Sequence, residues 1–553
     1  DTRFTLELAR FNLEANLAPL PLAGGTFSDL EGELRDVIGT AAARARAFDA
    51  HVLLTGILPT LRPEDLDSHN MSPEPRYALL NEAIFRGRHS LAMRIDGIES
   101  FQGAHTSVVI EGANTSFQVH LQVDPADSGP LYNLAQLLAA PLVAAAANSP
   151  VLLGRRLWHE TRIAVFERAL DARSEAAVVR GAPTRVTFGD AWVRRSAVEV
   201  FHDNLARFPV LLVRDVSGDG PARPDDAAPR LDALQLHNGT VWRWNRPCYG
   251  VSRGRPHLRI ECRVLPAGPT VIDEVANAAL FCGLMLGLAD LAPTIPSRLS
   301  FSDATENFLA AAQHGPEATL TWLDARRVPA RTLLLDELLP AARAGLACAG
   351  TADADVERYL GVIEARVRTG RTGSAWLLST QAANRGEPPA AVWHRAVQTM
   401  LARQFGARPV HEWPDDEVVE TGAVPDPTVG QIMTRQLFTV SPDDVLDLAA
   451  RVMEWKHVRH IPVEGADGAL VGLVTARGLL RLQGQDRRPA GTGAAVQDVM
   501  HTDITTVPPG LSLRDAMRRM ESAPHACLLV VDDGRLVGIV TDRDLVVAAA
   551  SLL

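Results

Sequence analysis

The chain has 553 residues, 46% of them apolar and 22% charged, with a formal charge of −11 at pH 7. That length suits about three or four domains with sizeable cores. The acidic balance argues against a nucleic-acid binder, which needs a basic footprint. Cys248, Cys262, Cys282, Cys348 and Cys527 are scattered and lack metal-ligand spacing. They read as reduced thiols of a cytoplasmic protein. No basic-plus-apolar leader opens the sequence at Asp1. The longest apolar stretches, 137–147 and 275–288, are too short to span a bilayer, so buried helices and no membrane are expected.

In chain order, strand-like runs fall at 11–17, 50–58, 91–97, 107–110, 116–123, 209–214 and 258–264. Helix-like runs fall at 28–49, 75–85, 132–147, 156–171, 192–207, 272–290, 303–314, 333–345, 353–368 and 391–405. The two kinds do not alternate strictly, which favours an α+β unit over a doubly wound parallel sheet. No Gly-x-Gly-x-x-Gly or Walker-type loop occurs, so a bound nucleotide would lie on a sheet.

Three of the strand-like runs carry one apolar and one polar face, because side chains alternate along a strand. In the first, Asn12, Glu14 and Asn16 oppose Phe11, Leu13, Ala15 and Leu17. In the second, which follows Asn114, the residues Ser116, Gln118, His120 and Gln122 oppose Phe117, Val119, Leu121 and Val123. The third places Arg259, Glu261 and Arg263 opposite Leu258, Ile260, Cys262 and Val264. A carboxylate between two guanidiniums can hold a metal ion and grip phosphate oxygens in one place. It can equally be an ion pair on a solvated strand. Three matching strands suggest one sheet with a polar, ligand-facing side. Arg155 and Arg162, seven apart in a helix-like run, are expected on one helix face.

Toward the C-terminus the sequence repeats itself. Ile432-Met433-Thr434 leading to Thr439-Val440-Ser441-Pro442 is matched by Val499-Met500-His501 leading to Thr506-Val507-Pro508-Pro509. Each copy continues with an amphipathic helix (445–455 and 513–520), a short apolar strand, a Gly/Asp turn and Leu-Val-Gly-(Leu/Ile)-Val-Thr, at 470–475 and 536–541. Two small α/β units are expected to pack together.

This repeat closely resembles a tandem CBS-domain pair, which often binds adenosine nucleotides and regulates an attached enzyme. In that family a Thr-x-x-Asp after the last strand contacts a ribose. The second copy has it at Thr541 and Asp544, whereas the first reads Thr475-Ala476-Arg477-Gly478. The resemblance therefore implies one standard nucleotide site at most, or a dimerisation element without ligand; a homodimer is expected in either case.

A second set of residues, in order, is Asn148-Ser149-Pro150, Gly154-Arg155, Glu160-Thr161-Arg162, Trp242-Arg243-Trp244-Asn245-Arg246-Pro247, Arg259-Ile260-Glu261-Cys262-Arg263 and Gly268-Pro269-Thr270. They look like the glutamate–cysteine ligase and carboxylate–amine ligase family of the glutamine-synthetase-like superfamily, over most of 1–400. The resemblance implies a curved antiparallel sheet flanked by helices, binding ATP and Mg²⁺ on its concave face. It implies activation of a small-molecule carboxylate as an acyl phosphate, followed by capture with an amine. Glu14 and Glu261 are then metal ligands, and Glu261, Arg263 and His120 the catalytic set. Arg243, Arg246, Asn114 and Gln118 become substrate contacts. The family's first strand carries Glu-x-Glu, and Glu7 with Glu14 is not that motif. An upstream strand, or a sensor that holds its ligands without turnover, would each account for this departure. The expected boundaries are a catalytic domain at 1–410, a linker at 411–428, and CBS copies at 429–486 and 495–553.

Overall fold

A computed structural model describes residues 3–48, 50–213, 228–406, 408–414, 428–435, 437–485 and 494–545. Most of the expected linker, 415–427, lies outside the described residues. The chain divides into two compact units, Asp1–Val419 and Glu420–Leu553.

The first unit is α+β. Its floor is made by the helices Ser128–Ala146 and Val271–Gly287, buried on nearly every side. Ser128–Ala146 is long and apolar enough to cross a membrane, but 89% of that stretch is buried inside the protein, as a core helix must be. Thr270 starts the second helix by accepting from Asp273 N at 3.1 Å. Arg366, from the helix Asp353–Thr369, donates to Asp273 Oδ1 at 2.8 Å, Asn277 Oδ1 at 2.6 Å and the Ala145 carbonyl at 3.1 Å. One buried guanidinium thus ties three helices, with its charge matched by Asp273.

On this floor lies a three-stranded antiparallel sheet in the order Asn245–Ser252, Arg255–Cys262, Val119–Val123. Arg253 and Gly254, both at positive φ, close the hairpin between the first two strands. Glu261 stands opposite Arg246 on one side and His120 on the other. Leu258, Ile260 and Cys262 point to the helices and are buried, as their alternation requires.

Several expectations need correction. The run at 11–17 does not join this sheet: only Leu13–Ala15 is a strand, paired with Phe4–Leu6 as a separate hairpin. In place of one continuous curved sheet, the described residues of this unit form this three-stranded sheet and several two-stranded ones. The run at 107–110 is the start of a 3₁₀ turn, Val108–Ala113, because Ser107 caps it by accepting from Val109 N at 3.2 Å; local capping overrides β-branched propensity. No strand forms at 50–58 or 209–213. Arg155 and Arg162 share no helix: Arg155 sits in the short hairpin Val151–Leu152/Arg155–Arg156, and Arg162 in the helix Thr161–Ala169. The strand Asn245–Ser252 escaped notice because Pro247 and Gly250 interrupt its pattern. It is an edge strand, where proline is tolerated.

The second unit contains the two copies. In the first, the helix Leu446–Lys456 precedes the hairpin His460–Glu464/Leu470–Thr475. In the second, Leu513–Ser522 precedes Cys527–Asp532/Arg535–Thr541, closed by Asp533-Gly534 at positive φ. The copies exchange their leading segments. Thr434 pairs both ways with Ile539 of the second copy, at 2.9 and 3.0 Å, and His501 pairs both ways with Leu473 of the first, at 2.8 and 2.9 Å. A Cβ on Gly538 would come within 2.4 Å of Met433 Sδ, and one on Gly472 within 2.8 Å of Met500 Sδ. The glycine of each Leu-Val-Gly is thus the seat for the methionine leading the other copy. Gly538→Ala should lower the stability of this unit by about 1–3 kcal/mol through overpacking, and Met433→Ala in the same chain should restore part of it. Urea unfolding of the two variants checks this, and a second substitution that only adds to the loss would refute the account.

Candidate active site

Glu261 is the centre of the polar sheet face and is 1% exposed. Arg246 grips it with two bonds, Nε to Oε2 at 2.6 Å and Nη2 to Oε1 at 3.2 Å. Arg263 Nη1 donates to Oε1 at 2.7 Å, and the Cys248 thiol lies 3.3 Å from Oε2. His120 Nε2 is 3.9 Å from Oε1. Burial alone would raise the Glu261 carboxyl, but the Arg263 and Arg246 guanidiniums outweigh it and hold it well below the usual carboxylate range. Burial lowers His120, so its ring is neutral at pH 7. Burial and the neighbouring Glu261 push Cys248 up to about 11, which keeps it a thiol.

Arg263 is aimed by its backbone. Its N–H donates to the Trp244 carbonyl at 3.0 Å. The buried Arg162 donates to the Arg263 and Val264 carbonyls at 3.3 and 2.6 Å while paired with Glu160 at 3.1 Å. Arg263 Nη1 also reaches Gln118 Oε1 at 3.3 Å. Arg259 Nη1 lies 2.9 Å from His257 Nε2. Three groups here have donors or acceptors without a hydrogen-bond partner among the described residues: both ends of the Asn114 amide, and Nε of Arg259 and of Arg263. Buried polar groups are normally paired, and these carry the chemistry of a ligand site.

Beside this basic face is an acidic one. Gly112 packs against Ala9, where a Cβ would come within 2.5 Å of Ala9 Cβ, and Asn12 Nδ2 donates to the Gly112 carbonyl at 2.7 Å. These contacts bring the N-terminal hairpin against the turn Val108–Ala113. Glu14 accepts from Thr5 Oγ1 at 2.7 Å. Burial and then Glu14 raise the Glu7 carboxyl, while the Leu8 N–H, Arg76 and, least, Arg263 lower it. Burial and then Glu7 push Glu111 up to about 8, opposed by Arg263 and Arg162. Glu7, Glu14 and Glu111 therefore share one electrostatic environment with Arg263. Glu7, Glu14 and Glu111 offer oxygen donors of the kind a hard divalent ion such as Mg²⁺ takes, but their ligand atoms are not among those that lie within 4.8 Å of one another. The group at this sheet that does converge, His120, Cys248 and Glu261, has both carboxylate oxygens engaged by guanidiniums. Glu111 was missed because its run reads as a strand, and Glu7 because it lacks the paired spacing; only the fold brings them together.

Of the expected site residues, Glu261, Arg263, His120, Arg246 and Gln118 come together, and Glu14 joins through its influence on Glu7. Arg243 has other partners: it donates to Asn204 Oδ1 at 2.8 Å and is ion-paired with Asp203. In the second unit Thr541 donates to Asp544 Oδ2 through N at 2.8 Å and Oγ1 at 2.7 Å. At the matching place in the first copy, Gly478 N donates to Thr475 Oγ1 at 3.1 Å.

Residues 1–394 match the model of glutamate-cysteine ligase family 2, and residues 429–484 and 496–551 each match the CBS domain. CBS domain-containing protein YhcV of Bacillus subtilis (strain 168) is 37% identical over 121 residues, 22% of this chain and 84% of that protein. A homoserine O-acetyltransferase of Methanohalobium evestigatum is 31% identical over 118 residues, 21% of this chain and 23% of that protein. The chain thus spans under a quarter of the length of that enzyme. Among solved structures, a putative acetoin utilization protein (AcuB) from Vibrio cholerae is 35% identical, covering 23% of this chain and 91% of its own, with a TM-score of 0.21.

Folded Glu111 holds its proton to about pH 8, whereas an unfolded glutamate releases it near 4.5. Between those values the unfolded state binds fewer protons, so stability falls as pH rises. Glu111→Gln should therefore gain stability relative to the parent between pH 5 and 8 in chelator, a gap read from urea midpoints; a pH-independent gap would contradict the burial of this carboxyl.

Proposed function

We propose, from the premise that this chain belongs to glutamate-cysteine ligase family 2 and carries a C-terminal CBS pair, that it is an ATP-dependent carboxylate–amine ligase. The observation that carries this reading is Glu261 held between Arg246 and Arg263 with His120 3.9 Å away on the polar face of the sheet. Phosphoryl transfer is chiefly positioning and charge neutralisation. Arg263 and Arg246 suit phosphate or carboxylate oxygens, offering the planar fork those groups prefer. When bound, Mg²⁺ would neutralise charge on the ATP phosphates; Glu14 and, on rearrangement of its arginine pairs, Glu261 would have to converge to hold it, with Glu7 and Glu111 as further oxygen donors. Asn114 and Gln118 are assigned as substrate contacts, a reading supported by the Asn114 amide, both ends of which lack a partner among the described residues. Arg243 is a substrate contact only if its pairing with Asp203 opens.

In the reaction, a carboxylate of γ-glutamyl type takes the terminal phosphoryl group of ATP and ADP leaves. The amine then attacks the acyl carbon, phosphate departs, and the amine's proton passes to a base. His120, neutral at pH 7 beside Glu261, is that base. A second reading is a ligase-like sensor that binds carboxylate or adenylate without turnover. The full occupation of both Glu261 oxygens supports it.

Phosphate release from full-length protein with ATP, Mg²⁺, glutamate and a panel of amines tests the enzyme reading. Glu261→Gln is a poor probe, because it leaves two buried guanidiniums uncompensated, a loss of about 3–5 kcal/mol. Arg263→Lys keeps the charge and removes the fork. It should lower kcat by about 100-fold or more with an unchanged melting temperature. Phosphate release in no member of the panel would favour the sensor.

At the second CBS copy, we assign an adenosine nucleotide to Thr541 and Asp544. The exposed apolar side chains Val445, Leu448 and Trp455 support the expected homodimer. AMP or ATP should raise the melting temperature of this unit by linkage, and Asp544→Ala should erase the rise. An equal rise in that variant would remove the assignment.

A further inference from the structure

A separate group of metal-competent side chains lies in the C-terminal unit. His501 and Asp503 precede the strand Thr506–Val507, and His525 precedes Cys527–Asp532. One ring nitrogen of each histidine and a carboxylate oxygen of Asp503 all lie within 4.8 Å of one another. The two imidazole rings are 4.1 Å apart, tilted by 33°, and His525 Nε2 is 3.2 Å from Asp503 Oδ1.

Backbone contacts hold this cluster from two sides. His501 is fixed by its paired bonds to Leu473. The His525 carbonyl lies 2.9 Å from His460 Nε2, so both copies contribute to its position. The histidines face a cleft of ≈ 280 Å³ lined also by Thr475, Arg477 and Gly478. This is the copy in which glycine stands where its twin has the Asp544 carboxylate. The cleft has a glycine where its twin has an acidic group, and two imidazoles contributed by the second copy.

Two imidazole nitrogens with one carboxylate oxygen are the donor set of zinc-class cations, and three protein ligands leave a fourth position open. Tetrahedral bonds of about 2.0–2.1 Å place donors about 3.4 Å apart, so donors within 4.8 Å of one another need close by at most about 1.4 Å. The Asp503 side chain, 70% exposed, is free to supply that movement.

We infer that the C-terminal unit binds one zinc-class divalent cation through His501, Asp503 and His525, with its open position toward the Thr475–Gly478 cleft. The cation replaces the proton shared by His525 and Asp503, and side chains of the second copy then supply a ligand-binding centre at the first copy's cleft, where glycine stands in place of the carboxylate. This inference is independent of the ligase reading and survives its failure.

The test is titration of chelator-stripped full-length protein with Co²⁺, followed by visible absorption. A four-coordinate Co²⁺ spectrum saturating with one equivalent at this site is expected. It should persist in Cys248→Ser, which removes the thiol from the only other such cluster among the described residues, His120, Cys248 and Glu261. It should disappear in His501→Ala and in His525→Ala, and weaken at least tenfold in Asp503→Asn. His525→Gln and melting curves in chelator separate loss of a ligand from loss of the fold. A spectrum unchanged by both histidine variants, or none up to millimolar Co²⁺, overturns the proposal.

Discussion

The first unit is organised around one buried carboxylate. Glu261 is out of water, and isolation of that kind is tolerated only with compensating charge and hydrogen bonds. Arg246 supplies a bidentate grip from the edge strand, and Arg263 supplies another bond from just beyond the central strand. Satisfying Glu261 thus fixes the register of the hairpin and the orientation of two guanidiniums together. A second buried pair, Glu160–Arg162, holds the backbone from which Arg263 projects. The polar face is therefore rigid before any ligand arrives, which is the property a phosphate or carboxylate site needs.

Two guanidiniums around one carboxylate leave an excess of positive charge, and the neighbouring glutamates leave an excess of negative charge. Neither face is balanced alone. Glu111 remains protonated near neutrality because burial and then Glu7 outweigh the pull of Arg263 and Arg162.

The polar alternation at 116–123 and 258–264 was legible in the sequence because a strand has period two, and the observed register sets Glu261 beside His120. The C-terminal repeat was legible because order, turn chemistry and apolar runs recur together. The acidic face was not. Glu7 lies at the end of a short hairpin and Glu111 in a 3₁₀ turn, and neither has a period that projects it toward a partner about a hundred residues away. The edge strand Asn245–Ser252 was hidden for a different reason: its proline and glycine read locally as breakers and become acceptable only at the rim of a sheet.

The exchange of leading segments between the two CBS copies has a consequence for how they change over generations. Each copy needs the other's Met433 or Met500 and the adjacent backbone to complete its fold. Selection for folding therefore acts on both copies as one object, whatever either of them binds. That shared obligation releases the individual clefts. One copy can carry Thr541 and Asp544 while the matching place in its sibling is Gly478, because the sibling is needed for the shared architecture whatever its own cleft binds, and the histidine pair beside that cleft comes from the second copy.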